Sequence, residues 1–243
     1  MRNFGLIGRK LSHSYSKDYF DRKFHTENIS DSTYSLFEID KIDELPLLLR
    51  KFPDLAGFNV TFPFKQSVIP FLDDISDDAK EIGAVNTVLV EKSCGRRYLT
   101  GYNTDYIGFL ETLENQYFNN AIVLGTGGAS AAVRYALRIK NCNVLTVSRD
   151  IRRGLLYSQL TNEIVASSDL IVNCTPLGTF PNVDDMPPFP YKYLTDKCLL
   201  YDLVYNPTET RFLMEGKKRG TKIKNGLEML YNQAESAWKI WNK

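Results

Sequence analysis

The sequence is poor in the residues that build metal sites and disulfide frameworks. Its 243 residues include 4 cysteines and only 2 histidines. The cysteines are widely spaced and form no C-x-x-C pair, so no zinc pattern is present. Free thiols of this kind are typical of cytoplasmic proteins. We therefore expect a cytoplasmic protein that binds no metal.

A strong net charge and a long apolar run are also missing. The formal net charge is +1 at pH 7, whereas a nucleic-acid-binding domain is usually strongly basic in one region. No apolar run approaches the ~20 residues that span a membrane, and the first residues lack the layout of a signal peptide. We expect neither nucleic acid nor membrane as a partner, and the sequence leaves both a monomer and a homodimer open.

The order of the predicted elements indicates an α/β protein with two domains. Apolar strands and amphipathic helices alternate, which implies a mainly parallel sheet. Two shorter strands predict a hairpin around Ser93-Cys94-Gly95. The predicted strands are Phe4–Gly8, Thr33–Ile39, Leu55–Val60, Val85–Val90 and Arg97–Gly101, followed by strands that start at Ala121, Asn143, Asp169 and Cys198. The predicted helices include Lys17–Glu27, Ile42–Lys51, Phe64–Leu72, Asp77–Gly83, Asp105–Tyr117 and Leu227–Trp241.

A glycine cluster lies between a predicted strand and an alanine-rich helix. The strand leads into Gly125-Thr126-Gly127-Gly128-Ala129, and Ser130 stands where the usual fingerprint has its third glycine. Glycines let a backbone approach a pyrophosphate closely, and a helix N-terminus supplies N–H groups and a positive dipole. The pattern predicts a dinucleotide site, although glycine turns before helices are also common elsewhere.

Charged residues at the end of the next strand bear on the choice of dinucleotide. That strand ends in Ser148-Arg149-Asp150, with Arg152 and Arg153 close behind. At this position an acidic residue takes the ribose hydroxyls of NAD, while arginine accommodates the 2′-phosphate of NADP. The arginines favour NADP, and Asp150 keeps NAD open as the less favoured cofactor. A solvated helix start would also explain the arginines.

A lysine follows the polar end of another strand, in Phe58-Asn59-Val60-Thr61-Phe62-Pro63-Phe64-Lys65. Proline suits the first turn of a helix, so the segment predicts a strand, a polar turn and a helix start. Polar residues at strand ends are where α/β folds hold their ligands. Lys65 is therefore a candidate for chemistry, and the alternative is a surface lysine on an ordinary helix.

Taken together, the motifs resemble one family, the shikimate dehydrogenases, along nearly the whole chain. The matching segments are Gly5-Leu6-Ile7-Gly8 with His13-Ser14-Tyr15-Ser16, Asn59-Val60-Thr61 with Pro63 and Lys65, Gly83-Ala84-Val85-Asn86-Thr87, Gly101-Tyr102-Asn103-Thr104-Asp105, Gly125-Thr126-Gly127-Gly128-Ala129, Asn173-Cys174-Thr175-Pro176-Leu177-Gly178, Tyr201-Asp202-Leu203-Val204-Tyr205-Asn206-Pro207, and Gly226-Leu227-Glu228-Met229-Leu230 with Gln233. Each segment is weak alone, but all of them in this order are highly specific.

The resemblance implies reversible hydride transfer between C3 of shikimate and NADP, with Lys65 and Asp105 as the catalytic pair. Lys65 would be an ammonium donor in ketone reduction, and a base or a water-relayed shuttle in oxidation. Asp105 would accept a hydrogen bond from substrate and orient Lys65, although an acid at a helix N-terminus is also favourable by itself. We expect the two side chains to face each other across a cleft between the domains.

The resemblance also implies binding residues. Ser14 and Ser16 are candidates for the substrate carboxylate, with simple N-capping by Ser16 as the alternative. The other substrate-binding candidates are Asn59, Thr61, Asn86, Tyr205 and Gln233. The cofactor-binding candidates are Gly125, Thr126, Gly127, Gly128, Ala129, Ser148, Arg149, Arg153, Thr175, Leu203 and Gly226.

The resemblance assigns residues 1–104 plus 226–243 to a substrate-binding and catalytic domain, and 105–225 to a Rossmann-like NADP-binding domain. One departure falls on the cofactor motif, because the family often has Asn-Arg-Thr where this chain has Ser148-Arg149-Asp150. Asp150 would repel a phosphate, and Ser148 and the arginines could compensate. The alternatives are a quinate/shikimate dehydrogenase able to use NAD and a non-catalytic ligand-sensing homologue, and the intact Lys65 and Asp105 argue against the second.

Overall fold

The computed structural model describes residues 1–12, 14–93, 95–114 and 116–243. His13, in the first motif, and Cys94, at the predicted hairpin turn, lie outside the described residues. The chain divides into two compact units. We call Met1–Thr104 with Gln233–Lys243 the first unit, and Asp105–Asn232 the second unit.

The first unit is built on a mixed sheet that is six-stranded over the described residues. The strands are β1 (Arg2–Gly8), β2 (Ser32–Glu38), β3 (Leu55–Val60), β4 (Asp74–Ile75), β5 (Thr87–Ser93) and β6 (Arg96–Tyr102). The strand order is β2-β1-β3-β5-β6-β4. The pairs β1/β2, β1/β3 and β4/β6 are parallel, and β3/β5 and β5/β6 are antiparallel. The helices with their full length in this unit are α1 (Tyr15–Thr26), α2 (Leu45–Lys51) and α3 (Asp77–Ile82).

Each face of this sheet packs on a different set of helices, because alternate strand residues point to opposite faces. In β1, Ile7 faces the core formed with α2 and α3, whereas Phe4 faces the core formed with α1. Phe20 and Phe24, one helical turn apart, bury the inner side of α1 against this second core. The last helix, α8 (Leu227–Trp241), completes it with Trp241, among other residues.

The indole of Trp241 lies directly on the backbone of β3. A Cβ on Gly57 would overlap the indole ring, so only glycine allows this close approach. The indole nitrogen of Trp241 donates a hydrogen bond to the carbonyl oxygen of Val88 at 3.0 Å. Helix α8 is thereby tied to two neighbouring strands of the sheet.

The prediction of a helix over Phe64–Leu72 is wrong. The segment forms successive turns and a short 3₁₀ helix at Ile69–Phe71, after a cis peptide bond between Phe62 and Pro63. The carbonyl oxygen of Lys65 accepts a hydrogen bond from Val85 N at 2.7 Å. That oxygen is the one that an α-helix would pair with Ile69 N, so the α-helical ladder does not continue.

The second unit is built on a parallel sheet. Its strands are β7 (Asn120–Leu124), β8 (Asn143–Ser148), β9 (Leu155–Leu156), β10 (Leu170–Asn173), β11 (Leu199–Asp202) and β12 (Lys222–Lys224). The other helices are α4 (Asp105–Leu113), α5 (Gly128–Ile139), α6 (Asn162–Ala166) and α7 (Arg211–Lys218).

The strand order of this sheet is β12-β11-β10-β7-β8-β9, and the neighbouring strands are parallel. Strand β7 leads through α5 to β8 on one side, and the chain then returns to β10 on the other side of β7. The order reverses at this point, and open α/β sheets bind ligands at the carboxyl ends of such strands.

Helices cover both faces of this parallel sheet. One core packs α4 and α5 against β7, with Phe109, Val133 and Val123 among its buried residues. The opposite core includes Ile122 of β7 and Phe212 of α7. The predicted fold class, α/β with mainly parallel sheets and a Rossmann-like unit, is confirmed by this topology. No described helix has both the length and the apolar character that a membrane crossing requires.

Candidate functional site

Asn86 is the centre of a buried polar cluster in the first unit. Its amide nitrogen donates to Thr104 Oγ1 at 2.9 Å and to Gln233 Oε1 at 3.3 Å, and its amide oxygen accepts from Thr104 N at 2.6 Å. The exposed fractions of Asn86, Thr104 and Gln233 are 2%, 0% and 9%. The fold therefore brings together two predicted substrate-binding residues, Asn86 and Gln233, from a strand edge and from α8.

Asn59 belongs to the same polar region but is fully engaged. Its amide nitrogen donates to Thr87 Oγ1 at 3.0 Å, and its amide oxygen accepts from Tyr34 OH at 2.8 Å. All three side chains are buried. These contacts fasten β3 to β5 and β2.

Lys65 lies in the turns after β3 and is half-buried. Its carbonyl bond to Val85 N places its backbone beside the residue that precedes Asn86. Thr61, at the end of β3, is fixed by a hydrogen bond from its own N–H to Ile7 O at 2.9 Å. The first unit therefore gathers Thr61, Lys65 and Asn86 at one end of its sheet.

The N-cap of α1 is Ser14 and not Ser16. N-capping therefore does not account for Ser16. Ser14 has an extended backbone, and its hydroxyl accepts a hydrogen bond from Ser16 N at 3.3 Å. Ser16 already lies in the first turn and is buried. The two serines are thus neighbours at a helix N-terminus, the position where N–H groups and the helix dipole favour an anion.

The glycine turn of the second unit follows β7 and opens α5. Gly125 has φ of 106°, which favours glycine, and a Cβ there would lie 3.2 Å from Thr175 Cγ2. Ser130, in the place of a third glycine, is fully buried and donates to Gly125 O at 2.7 Å. Its hydroxyl therefore fixes the turn from inside.

The glycine turn fits the phosphates of a dinucleotide. Gly127 is the N-cap of α5 and supplies no side-chain cap, so the first N–H groups of α5 are not capped by it. A Cβ on Gly127 would meet nothing within 4 Å. Open space beside a helix N-terminus at the point where the strand order reverses is the arrangement that holds a pyrophosphate.

The end of β8 places basic residues beside this turn. Arg153 Nη2 donates to Thr126 O at 2.7 Å, so it reaches the glycine turn directly. Arg149 is exposed. Burial raises the pKa of Tyr157 to about 12, and the positive charge of Arg149 opposes that rise. Ser148 is buried and accepts a hydrogen bond from Asp150 N at 3.0 Å.

Asn173 and Asp202 hold the loops after β10 and β11. Asn173 Nδ2 donates to Asp202 Oδ1 at 2.9 Å, and Asn173 Oδ1 accepts from Thr175 N at 3.0 Å and from Thr175 Oγ1 at 2.6 Å. Asp202 also accepts from Val204 N at 3.0 Å and from Thr210 Oγ1 at 2.5 Å. Burial raises the pKa of Asp202 to about 7, against these hydrogen bonds.

Leu203 and Gly226 are held against each other within the second unit. Gly226 N donates to Val204 O at 3.2 Å, and a Cβ on Gly226 would overlap the carbonyl oxygen of Leu203. Glycine is therefore required at position 226. Tyr205 follows in the same loop and is half-buried.

Asp105 is the first residue of α4, is 4% exposed, and belongs to the second unit. Burial raises the pKa of the Cys174 thiol, and the negative charges of Asp202 and Asp105 add to this effect. Asp105 therefore lies near the loop after β10. That Asp105 faces Lys65 stays a prediction.

The sequence predicts no functional role for several residues of these clusters. Thr87 and Thr104 lie inside quoted motifs, and their hydroxyls complete the cluster around Asn86. Asn173 and Asp202 also lie inside quoted motifs, and a polar residue at the end of each buried strand was the available signal. Among the described residues, His, Cys, Asp and Glu form no group of three or more suited to a metal ion.

The fold and the glycine turn are those of a dinucleotide-binding α/β protein. Comparison with known proteins identifies the family within this class. The profile for "Shikimate dehydrogenase substrate binding domain" matches residues 6–88. A curated shikimate dehydrogenase (NADP(+)) from Clostridium beijerinckii is 40% identical over 100% of this chain and 93% of its own length.

Solved structures of shikimate dehydrogenases are similar to this chain over almost its whole length. Shikimate dehydrogenase 1 from Peptoclostridium difficile is 37% identical with a TM-score of 0.83, covering 100% of this chain and 92% of that chain. Shikimate 5-dehydrogenase from Thermus thermophilus in complex with NADP(H) and shikimate is 33% identical with a TM-score of 0.86, covering 99% of this chain and 93% of that chain. The chain belongs to the shikimate dehydrogenase family.

Proposed function

We propose that this chain is an NADP-dependent shikimate dehydrogenase, which oxidises shikimate reversibly to 3-dehydroshikimate on the route to aromatic amino acids. The observation that carries the proposal is the match along the whole chain to curated enzymes of that activity. The open glycine turn with arginines beside it supports NADP as the cofactor. The enzyme is accordingly an oxidoreductase that acts on a CH–OH group.

The first unit binds the substrate. Ser14 and Ser16 hold the carboxylate at the N-terminus of α1, where hydroxyl and N–H donors are close together. Asn86 and Gln233 hold ring hydroxyls from the buried polar cluster, since both offer amide groups there. Thr61 completes the set from the first unit by its match to a family motif. Tyr205, which belongs to the second unit, is a further substrate-binding residue on the same ground. Asn59 supports the cluster through its bonds to Thr87 and Tyr34.

Lys65 and Asp105 form the catalytic pair. When the C3 hydride leaves in oxidation, the C3 hydroxyl must also lose its proton, and Lys65 takes that proton directly or through water. In reduction, the ammonium of Lys65 returns a proton to the carbonyl oxygen. Asp105 accepts a hydrogen bond from a substrate hydroxyl and orients Lys65. The support for this pair is that both residues match the family motifs.

The second unit holds the cofactor, which supplies the hydride acceptor in oxidation and the donor in reduction. Gly125, Thr126, Gly127, Gly128 and Ala129 present backbone N–H groups to the pyrophosphate. The adenosine end is held by Ser148, Arg149 and Arg153, and the nicotinamide end by Thr175, Leu203 and Gly226.

The organisation of the enzyme follows the same proposal. The proposed substrate-binding and catalytic domain comprises residues 1–104 plus 226–243, and the proposed NADP-binding domain comprises residues 105–225. Residues 226–232 belong to the second unit, so the division into compact units falls seven residues later than this proposed boundary. The enzyme acts as a monomer or homodimer without nucleic acid. It works in the cytoplasm, where Cys142, Cys174 and Cys198 remain free thiols.

Steady-state assays of the purified protein test the proposal. The absorbance of the reduced cofactor is followed with shikimate or quinate, each with NADP or NAD. We expect the highest kcat/KM with shikimate and NADP. Higher efficiency with quinate and NAD would identify a quinate/shikimate dehydrogenase instead. Binding of shikimate and NADP without any turnover would identify a ligand-sensing protein.

A further inference from the structure

Asp150 stands at a position where its charge opposes the proposed cofactor. Strand β8 ends at Ser148, and Asp150 follows two residues later. In nucleotide-binding sheets, an acidic residue at this place accepts hydrogen bonds from the ribose hydroxyls of NAD. An accessible carboxylate here would also repel a 2′-phosphate through its like charge. If the chain uses NADP, another group must offset the charge of Asp150 and occupy its carboxylate oxygens.

Arg152 engages both carboxylate oxygens of Asp150. Arg152 Nε donates to Asp150 Oδ1 at 3.0 Å and Arg152 Nη2 donates to Oδ2 at 2.8 Å, a bidentate pair. The backbone N–H of Arg152 also donates to Oδ1 at 3.0 Å. These side-chain and backbone bonds lower the pKa of Asp150, so the carboxylate is charged and paired.

The two neighbouring arginines, Arg149 and Arg153, interact with other residues. Arg153 donates to Thr126 O at the glycine turn, and the charge of Arg149 acts on Tyr157. Arg152 is thus the arginine of this segment that is committed to Asp150. The charge of Arg153 also lowers the pKa of Asp150, whereas the side-chain hydrogen bonds to the carboxylate come from Arg152. Pairing with Arg152 offsets the carboxylate charge locally and leaves Arg149 and Arg153 for an anion.

We propose that Arg152 determines cofactor specificity by acting through Asp150. Arg152 occupies the two oxygens that would otherwise accept from the hydroxyls of an NAD ribose, and it neutralises the charge that would repel the 2′-phosphate of NADP. It is a positioning residue, because the proposal gives the phosphate to Arg149 and Arg153. The inference rests on the proposed use of NADP.

A double-mutant cycle tests this role with Arg152→Ala, Asp150→Asn and the double variant. The readout is calorimetric titration with 2′,5′-ADP and 5′-AMP, which differ only in the 2′-phosphate. We expect Arg152→Ala to weaken 2′,5′-ADP binding about tenfold and to leave 5′-AMP binding equal or tighter. Asp150→Asn alone should keep 2′,5′-ADP binding equal or tighter.

The double variant decides the mechanism. We expect Arg152→Ala with Asp150→Asn to recover 2′,5′-ADP binding to within about threefold of the parent, because the repelling charge is gone. If Arg152→Ala costs the same with and without Asp150, Arg152 contacts the phosphate itself and the proposal is overturned. An Arg152→Ala variant that binds both nucleotides like the parent overturns it too.

A matched control removes a charge of the same sign elsewhere. Lys218→Ala breaks an exposed pair with Glu215 on α7 and should change neither titration. The side chain of Arg152 is 85% exposed, so the variants should fold, and thermal unfolding checks this. The titrations need no shikimate. A protein that follows the cycle but does not oxidise shikimate would refute the proposed reaction and leave the role of Arg152 intact.

Discussion

Asn173 Nδ2 and Asp202 Oδ1 are joined by a buried hydrogen bond of 2.9 Å that links the carboxyl ends of two neighbouring strands. Through its other oxygen, Asn173 fixes Thr175, and through its remaining contacts, Asp202 fixes Val204 and Thr210. Two loops proposed to meet the nicotinamide are therefore set by one buried pair. Neither member needs to touch the cofactor to determine where those loops lie.

The buried carboxyl of Asp202 makes the free energy of unfolding depend on pH. Burial raises its pKa from 3.8 to about 7 in the folded state, so the folded protein binds more protons than the unfolded chain between these values. Its contribution to stability therefore falls as pH rises from about 4 to about 7, by at most about 1.4 kcal/mol per unit. Denaturant unfolding across this range measures the slope.

The isosteric variant Asp202→Asn isolates this effect. We expect the stability of the parent relative to Asp202→Asn to decline from pH 4 to about 7 and then to level off. Asp196→Asn changes an exposed aspartate of the same unit and is the control. Parallel pH profiles for the parent and Asp202→Asn would contradict the prediction.

Lys65→Ala should lose turnover while shikimate KM changes little. Removing a positioned acid/base typically costs ~10²–10⁴-fold in rate, whereas the binding groups at Asn86 and Gln233 remain. Steady-state kinetics with shikimate and NADP measure both constants. Lys80→Ala, which removes a lysine from exposed ion pairs in the same unit, is the control. A near-normal kcat for Lys65→Ala would refute the catalytic role.

Arg149→Ala should raise the KM for NADP far more than the KM for NAD. The proposed contact is with the 2′-phosphate, which NAD lacks, and one lost charge contact near a protein surface corresponds to about tenfold or more. Lys217→Ala removes an exposed charge from a pair with Glu209 and is the control. Equal effects on both cofactors would show that Arg149 does not meet that phosphate.

Gly57→Ala should destabilise the protein by about 1–3 kcal/mol, because the new methyl group overlaps the indole of Trp241. Chemical denaturation measures the loss. Trp241→Phe presents a smaller ring and gives up the bond to Val88. We expect the double variant Gly57→Ala with Trp241→Phe to lose less than the sum of the single changes. Additive losses would mean that the two residues do not crowd each other.

Local sequence patterns predicted the regular elements well. Strand β3 and helix α8 have the predicted bounds, Leu55–Val60 and Leu227–Trp241, because each combines an apolar period with clear flanking signals. Helix α4 ends at Leu113, short of the predicted Tyr117. The segment after Pro63 was mispredicted because Val85, twenty residues along the chain, takes the carbonyl of Lys65. A single-sequence pattern carries no information about such a distant partner.

In the candidate site, too, features made of neighbouring residues could be predicted and contacts between distant residues could not. The glycine turn and the arginines after β8 could be predicted because their residues are contiguous. The cluster around Asn86 could not be assembled, since Thr104 and Gln233 come from distant parts of the chain. The Asp150–Arg152 pair is local, and the spacing Asp-x-Arg was the signal that could have predicted it. Contacts between distant residues require the fold.

Trp241 stacks on Phe4 with ring centroids 4.7 Å apart, so the aromatic core under the first sheet joins residues near both ends of the sequence. All of Asp105–Asn232 is translated between these two partners. A chain truncated before α8 therefore lacks part of this core, although it already contains β1–β6.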